Sequence, residues 1–141
     1  MSFYKNDSRN SGYIAIDNET QKIIAYSILK YGFPEHDSSR LQSYGLTLNH
    51  RIDSTFAPSV ADVWQSKGIG NSLFLYILRE LQFTEIKRII LWGGVQSDNL
   101  KAVNFYKKNG FMILGEFEYN GSKYEMVMDI HWQWGGSISV L

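Results

Sequence analysis

The chain contains no cysteine. That excludes a disulfide framework, a thiolate nucleophile and a cysteine-ligated metal. Neither sign of charge is in excess: 14 Lys and Arg balance 14 Asp and Glu, for a formal charge of zero. So balanced a chain gives no footing for bulk binding to nucleic acid or to an acidic membrane. No apolar run approaches the roughly 18 residues that a membrane helix needs. The first residues, Met1 to Asp7, lack the basic-then-apolar pattern of a signal peptide. The expectation is a soluble cytoplasmic protein. The three histidines, His36, His50 and His131, show no metal-ligand spacing, so no metal is expected.

What is present is a globular composition. Of 141 residues, 44% are hydrophobic and 15% aromatic, enough to bury a core in one domain spanning residues 1–141. Gly12–Asp17 and Lys22–Leu29 read as strands joined by the turn Asn18-Glu19-Thr20, a hairpin. Leu41–Leu48 reads as either a strand or irregular chain. Thr55–Val63 is a strand containing Pro58, which cannot donate to a ladder and so favours an edge position or a bulge over a plain central strand. Leu73, Phe74, Ile77, Leu78 and Leu81 recur at helical spacing and place a helix over Asn71–Phe83. Arg88–Trp92 is a continuous apolar run, expected as a buried strand. Asn99–Asn109 reads as a second helix, with Ser97 or Asp98 as its cap, Gly110 at its C′ position, and Leu100, Ala102, Val103 and Tyr106 on one face. Phe111–Glu118 and Lys123–Ile130 are strands around Asn120-Gly121, a signal for a two-residue hairpin. The tail His131–Leu141, with Trp132 and Trp134, has no assignable element. Together these give a mixed α+β class.

The stretch Gln65-Ser66-Lys67-Gly68-Ile69-Gly70-Asn71 lies between a strand and a helix. At a helix start, successive backbone N–H groups point outward and the helix dipole favours negative charge. Glycines let a phosphate approach the backbone without meeting a Cβ. The stretch is therefore a candidate anion site for a phosphorylated cofactor. It is not a P-loop, because Gly70 is not followed by Lys-Ser or Lys-Thr. Nor is it a dinucleotide fingerprint, because the third glycine would fall at Leu73.

Two motifs in order carry a resemblance. Gln65-x-x-Gly68-x-Gly70, followed by Asn99-Leu100-Lys101-Ala102-Val103-Asn104-Phe105-Tyr106-Lys107-Lys108-Asn109-Gly110-Phe111, resembles the GNAT N-acetyltransferases. Their acyl-CoA loop has the form Q/R-x-x-G-x-G/A, and their later helix often reads N-x-x-A-x-x-F-Y-x-K-x-G-F. The resemblance covers about Gly12 to Ile130. It implies a mostly antiparallel twisted sheet flanked by helices, with strands splayed at the acyl-CoA site. It implies acetyl-CoA as co-substrate and an amine as acceptor.

Residue by residue, the resemblance implies that the backbone of Gln65, Ser66, Lys67, Gly68, Ile69, Gly70 and Asn71 holds the CoA pyrophosphate. Lys67 is placed to add charge there. Ser59, Val60 and Asp62 on the splayed strand are candidates to pair with the pantetheine arm. Asn99 is a candidate cofactor contact or a helix cap. Lys107 and Lys108 are candidates to approach the 3′-phosphate. Tyr106 matches the tyrosine that protonates the leaving thiolate. A general base has no clear candidate: Asp62 lies near the loop, and Glu116, Glu118 and His50 are remote from it.

The family usually opens with a strand and two helices before the hairpin. Here only residues 1–11 precede Gly12. Those elements are expected to be missing, with Tyr31–Ser54 or a second subunit taking their place. A homodimer is expected, because an incomplete layer leaves apolar surface exposed. Two further readings stay open: an acyl-CoA-binding module without catalysis or a degenerate or truncated relative of the family, and an interaction protein built on the aromatic tail.

Overall fold

The computed structural model describes residues 1–5, 10–60 and 67–130. Runs of β-branched and aromatic residues form eight strands: β1 (Ser2–Lys5), β2 (Asn10–Ile16), β3 (Ile23–Tyr31), β4 (Asp53–Val60), β5 (Arg88–Leu91), β6 (Val95–Gln96), β7 (Met112–Glu118) and β8 (Ser122–Asp129). Three helices accompany them: α1 (Ser38–Ser43), α2 (Ile69–Leu81) and α3 (Leu100–Lys108). The strands form one sheet in the order β1-β2-β3-β4-β5-β8-β6, with β7 on the other side of β8. Among the described residues, pairing is antiparallel except between β4 and β5.

One face of the sheet carries the main core. Tyr13, Ala15, Ala25, Leu29, Phe56, Ile89, Leu91, Met126 and Met128 meet the apolar stripe of α2 and the buried side of α3. Phe56, Phe74 and Phe111 pack at 5.2 to 6.4 Å between centroids and join β4, α2 and the start of β7. The stripe of α2 is Ile69, Leu73, Phe74, Ile77, Leu78 and Leu81, the helical spacing read from the sequence with Ile69 added at its start.

The parallel ladder between β4 and β5 is short. It pairs Asp53 with Arg88, Ser54 with Ile89, Thr55 with Ile90 and Phe56 with Leu91, and then stops. Its base is pinned by a fork of charge-assisted bonds. Arg88 donates from Nε to Asp53 Oδ1 at 2.7 Å and from Nη2 to Asp53 Oδ2 at 3.1 Å. Asp53 is fully buried, and its carboxylate also accepts from the Asn49 N–H at 2.8 Å. At the other end, the last bond runs from the Trp92 N–H to the Phe56 carbonyl at 2.9 Å. Beyond it β4 continues alone on that side. Backbone groups of alternate residues point the same way along a strand, so the missing N–H of Pro58 lies on the unpaired side. The proline thus costs no ladder bond. The sequence reading asked for an edge position or a bulge; β4 is instead an interior strand that is locally an edge at Pro58.

The opposite face is covered only in part. A 3-10 turn at Glu35–Asp37 leads into α1, whose Leu41 packs with Ile90 and Val127. The segment Leu41–Leu48 is thus a helix end and a loop, not a strand. Leu41 is fully buried as the helix's contact with the sheet, and the rest of the segment is the irregular chain of the sequence reading. Arg40 docks the segment: its Nε donates to Glu125 Oε1 at 2.7 Å, its Nη1 lies 3.0 Å from Asp37, and its guanidinium sits 3.9 Å over the Phe117 ring. Towards β3 no described helix covers the same face, and Tyr26 and Ile28 are exposed.

Four other readings are corrected. A strand, β1, precedes the hairpin and pairs antiparallel with β2, where the sequence reading had no first strand. Asn99, not Ser97 or Asp98, caps α3; its side chain accepts from the Ala102 N–H at 3.2 Å. Leu100 is exposed rather than on the buried face of that helix. The Asn120-Gly121 connection has three residues, because Glu118 pairs with Ser122 and the Tyr119 N–H reaches the Gly121 carbonyl at 3.0 Å. Gly110 does sit after α3 at φ 97°, as its C′ position requires. The tail His131–Leu141 lies outside the described residues.

Glu125 is almost fully buried, and burial pushes its carboxyl above the usual carboxylate range despite Arg40. The folded chain therefore holds that proton more tightly than the unfolded chain. This group lends stability at low pH and withdraws it as pH rises. Arg40→Met leaves the carboxylate buried without its cation and should cost up to about 3 kcal/mol at pH 7. The loss should shrink as pH falls toward 5 and protonation of Glu125 is favoured. Urea unfolding at the two pH values checks this, and equal losses would contradict it.

Candidate active site

Where β4 runs on past β5, a cleft of about 430 Å³ opens between β4, the start of α2 and one side of α3. That volume lies within the range of small-ligand sites. Gly68, at φ 79°, turns the chain into α2, and a Cβ there would meet open space. The N-cap of α2, Gly68, has no side chain with which to cap the first turn. Its leading N–H groups thus start a helix of 13 residues beside a glycine, where an anion finds both oriented donors and the positive end of the dipole.

The two helices that flank the cleft are tied together. Asn109, at the C-cap of α3, donates from Nδ2 to Asn71 Oδ1 at 2.8 Å and to the Phe105 carbonyl at 2.8 Å. Asn71 stands in the first turn of α2, so the end of α3 is held beside the anion site. Asn99 lines the cleft at the other end of α3 while its Oδ1 is committed to the cap.

Tyr106 lines the cleft from the buried side of α3 and is 8% exposed. Its ring meets Phe111 and Phe105 edge-on, each at 5.3 Å between centroids. Burial alone pushes the phenol up to about 12, with no charged or hydrogen-bonding neighbour among the described residues to offset it. The hydroxyl is therefore a neutral proton donor across the whole physiological range.

The structure brings several sequence-predicted residues to one place. Ser59, Gly68, Gly70, Asn71, Asn99, Tyr106 and Lys108 all line the cleft. Ile69 puts its side chain into the core instead. Lys67 is exposed next to the turn but does not line the cleft. Val60 ends β4, where it pairs with Ala25. Asp62, Gln65 and Ser66 lie outside the described residues. Lys107 does not line the cleft, whereas Lys101, Asn104 and Phe105 do. Helical spacing in the α3 motif could have found these three, since positions 101, 104, 105 and 108 share one face. Ser27 was missed as well; its pairing with Pro58 across β3 and β4 brings it to the cleft. Glu116 and Glu118 are on β7, and His50 pairs with Glu35 and stacks on Phe33, all away from the cleft. Among the described residues, no carboxylate or imidazole lines the cleft.

Tyr106 supplies a spectroscopic test. In the folded protein its ionisation, read by tyrosinate absorbance, should be missing below about pH 11. Tyr106→Phe should leave the titration below that pH unchanged. Loss of a component near pH 10 on that substitution would contradict the buried phenol.

The comparisons bear on this geometry. The model of the acetyltransferase (GNAT) family matches residues 2–111. The chain is 30% identical over 97 residues to a spermine/spermidine N(1)-acetyltransferase of Bacillus subtilis, covering 66% of this chain and 56% of that protein. It thus spans little more than half the length of that curated relative. A GNAT-family acetyltransferase structure from Streptococcus pneumoniae superposes with a TM-score of 0.67 at 20% identity, covering 87% of this chain and 68% of that one. A NatC complex bound to Gag peptide and CoA gives a TM-score of 0.66 at 20% identity, covering 85% of this chain and 71% of that one. These two structures share the fold of this chain. With its glycine turn, its α3 motif and a family match over most of its length, the chain belongs to the acetyltransferase (GNAT) family.

Proposed function

We propose that the chain is an acetyl-CoA-dependent N-acetyltransferase that moves an acetyl group directly onto a primary amine of a small molecule or a protein. The observation that carries the reading is one cleft holding a glycine-led helix start at one point and a buried neutral phenol at another. The family uses acetyl-CoA. A pyrophosphate needs the helix start, a thioester arm needs the unpaired side of β4, and a departing thiolate needs an acid.

In this reading the backbone of residues 65–71 takes the pyrophosphate, with Lys67 adding charge. The free side of β4, from Ser59 and Val60 to Asp62, pairs with the pantetheine arm. The amine must first lose a proton, since a free alkylamine has a pKa near 10. As its nitrogen forms the new C–N bond, the C–S bond breaks, and Tyr106 gives its proton to the sulfur. Water or a group outside the described residues accepts the proton from the amine. The relative from Bacillus subtilis acts on spermine and spermidine, which makes polyamines the first acceptors to try. The same proposal has the chain acting as one domain, in the cytoplasm and as a homodimer. Tyr26 and Ile28, exposed on the sheet face towards β3, support a partner copy there.

A second reading, an acyl-CoA-binding module without catalysis, draws support from the absence of a carboxylate or imidazole among the described cleft residues. Amine-dependent release of CoA separates the two. The enzyme should liberate free thiol from acetyl-CoA with spermidine or a lysine peptide; thiol release that ignores every amine would sink the transferase reading. Gly70→Asp adds a Cβ and a negative charge at the expected pyrophosphate. It should weaken acetyl-CoA binding by more than about 100-fold. Tyr106→Phe should spare binding and slow turnover by about 10²- to 10⁴-fold. Weaker binding with normal turnover would instead mark Tyr106 as a packing residue.

A further inference from the structure

Among the described residues, the cleft offers no carboxylate for the proton that an amine must lose. The sheet has a second face. α2 and α3 pack on the cleft side, so an amine meets a thioester held between β4 and β5 from the opposite side. Side chains alternate along β8. Met126 and Met128 join the main core, whereas Val127 packs with Leu41 and Ile90 under α1. Glu125 shares the face of Val127.

Register fixes its height. Ile90 pairs with Val127, and Val95 pairs with Tyr124. Glu125 therefore stands opposite the turn 92–94, one step past the Phe56–Leu91 pair where the β4–β5 ladder ends. β8 is one strand removed from that opening. At about 4.8 Å between strands, its backbone lies roughly 7 Å from the middle of the opening. A glutamate side chain and one water cover that distance.

The carboxyl has a defined setting. Arg40 Nε donates to Oε1 at 2.7 Å, and Arg40 is itself held by Asp37 at 3.0 Å. Oε2 accepts no hydrogen bond among the described residues, although Glu125 is only 1% exposed. A buried carboxylate oxygen without a donor has room for a water or for a proton. Its strand partner is Gly115, where a Cβ would run into the Tyr44 ring. Arg40, Asp37 and Tyr44 are the charged or titratable groups that face Glu125 from the covering segment. Gly115 and the turn 92–94 add none, and Lys123, on the same face of β8, reaches instead to the Tyr119 ring. Burial holds the carboxyl above the usual carboxylate range, which suits a proton acceptor working near neutral pH.

We propose that Glu125 is the final acceptor of the amine's proton, reached through one water from the face of the sheet opposite the cleft. This rests on the transferase reading and adds to it the destination of the proton. The ammonium gives one proton through the water to Oε2. Its nitrogen then bonds to the carbonyl carbon as the C–S bond breaks, and Tyr106 gives its proton to the sulfur. The second proton lost by the nitrogen restores the tyrosine through solvent. Glu125 returns its own proton to solvent, so each turnover yields one amide, one thiol and one released proton.

Thiol release from acetyl-CoA by the full chain, with saturating spermidine or a lysine peptide, tests this as a function of pH. Glu125→Gln keeps the shape of the side chain and an oxygen for Arg40. It should leave acetyl-CoA binding little changed and slow kcat by about 10²- to 10⁴-fold near pH 7. The loss should shrink as pH approaches about 10, where the amine sheds its proton unaided. No loss, or a loss equal at every pH, overturns the inference. In the parent chain, kcat should fall as pH drops and Glu125 becomes protonated. Arg40→Gln removes the cation that favours the carboxylate, so it should move that fall to higher pH. An unmoved fall overturns the inference even if Glu125→Gln does not fold. A parent chain that releases no thiol in response to either amine overturns the transferase reading itself.

Discussion

Parallel pairing between β4 and β5 ends at Phe56 and Leu91, and the cleft exists because it ends there. A sheet that stayed paired would leave no free main chain for an extended arm to pair with. The ladder is held firmly at its base by the Asp53–Arg88 fork and released at its top, where the chain after Leu91 turns through Gly93 and Gly94. Gly94 allows the turn to press close, because a Cβ there would stand 2.5 Å from the Tyr124 carbonyl oxygen. Pro58 then keeps the free side of β4 from pairing at one position. Closure at one end and opening at the other together make a wedge from an otherwise ordinary sheet.

The helices take their places from that wedge. The chain leaving β4 returns as α2, whose apolar stripe lies on Phe56 and its neighbours, so its first turn stands at the mouth of the opening. α3 is laid along the other side, capped by Asn99 and tied to α2 through Asn109 and Asn71. Tyr106 is carried into the opening by the same helix that presents Lys101 and Lys108 to its rim. One face of α3 thus lines the uncharged inner end of the cleft, and the adjoining face carries the lysines of its rim.

Much of this was legible in the sequence, for identifiable reasons. The stripe of α2, the β2–β3 hairpin, the buried β5 and the glycine after α3 each follow from local rules of period and turn chemistry. The two motifs marked the cleft residues Gly68, Gly70, Asn71, Asn99, Tyr106 and Lys108 before any geometry was known. What was not legible depends on tertiary neighbours. Leu41 belongs to a helix because Ile90 and Val127 await it across the sheet, not because of its own segment. Pro58 is tolerated inside the sheet because β5 has already left. Ser27 reaches the cleft only through its register with Pro58. Phe105 and Lys101 could have been found by treating the α3 motif as a helix with two faces.

The central claim is that the mouth of the wedge is a working site for a CoA thioester. Thermal unfolding with and without acetyl-CoA, with NAD and ATP as controls, tests it most directly. At a ligand concentration about 100 times the dissociation constant, binding stabilises the folded chain by about 2.7 kcal/mol. That is a rise of several degrees at roughly 2–4 °C per kcal/mol for a chain near this size. The account predicts that rise with acetyl-CoA and none with NAD or ATP. No rise at millimolar acetyl-CoA, or an equal rise with all three, would contradict it.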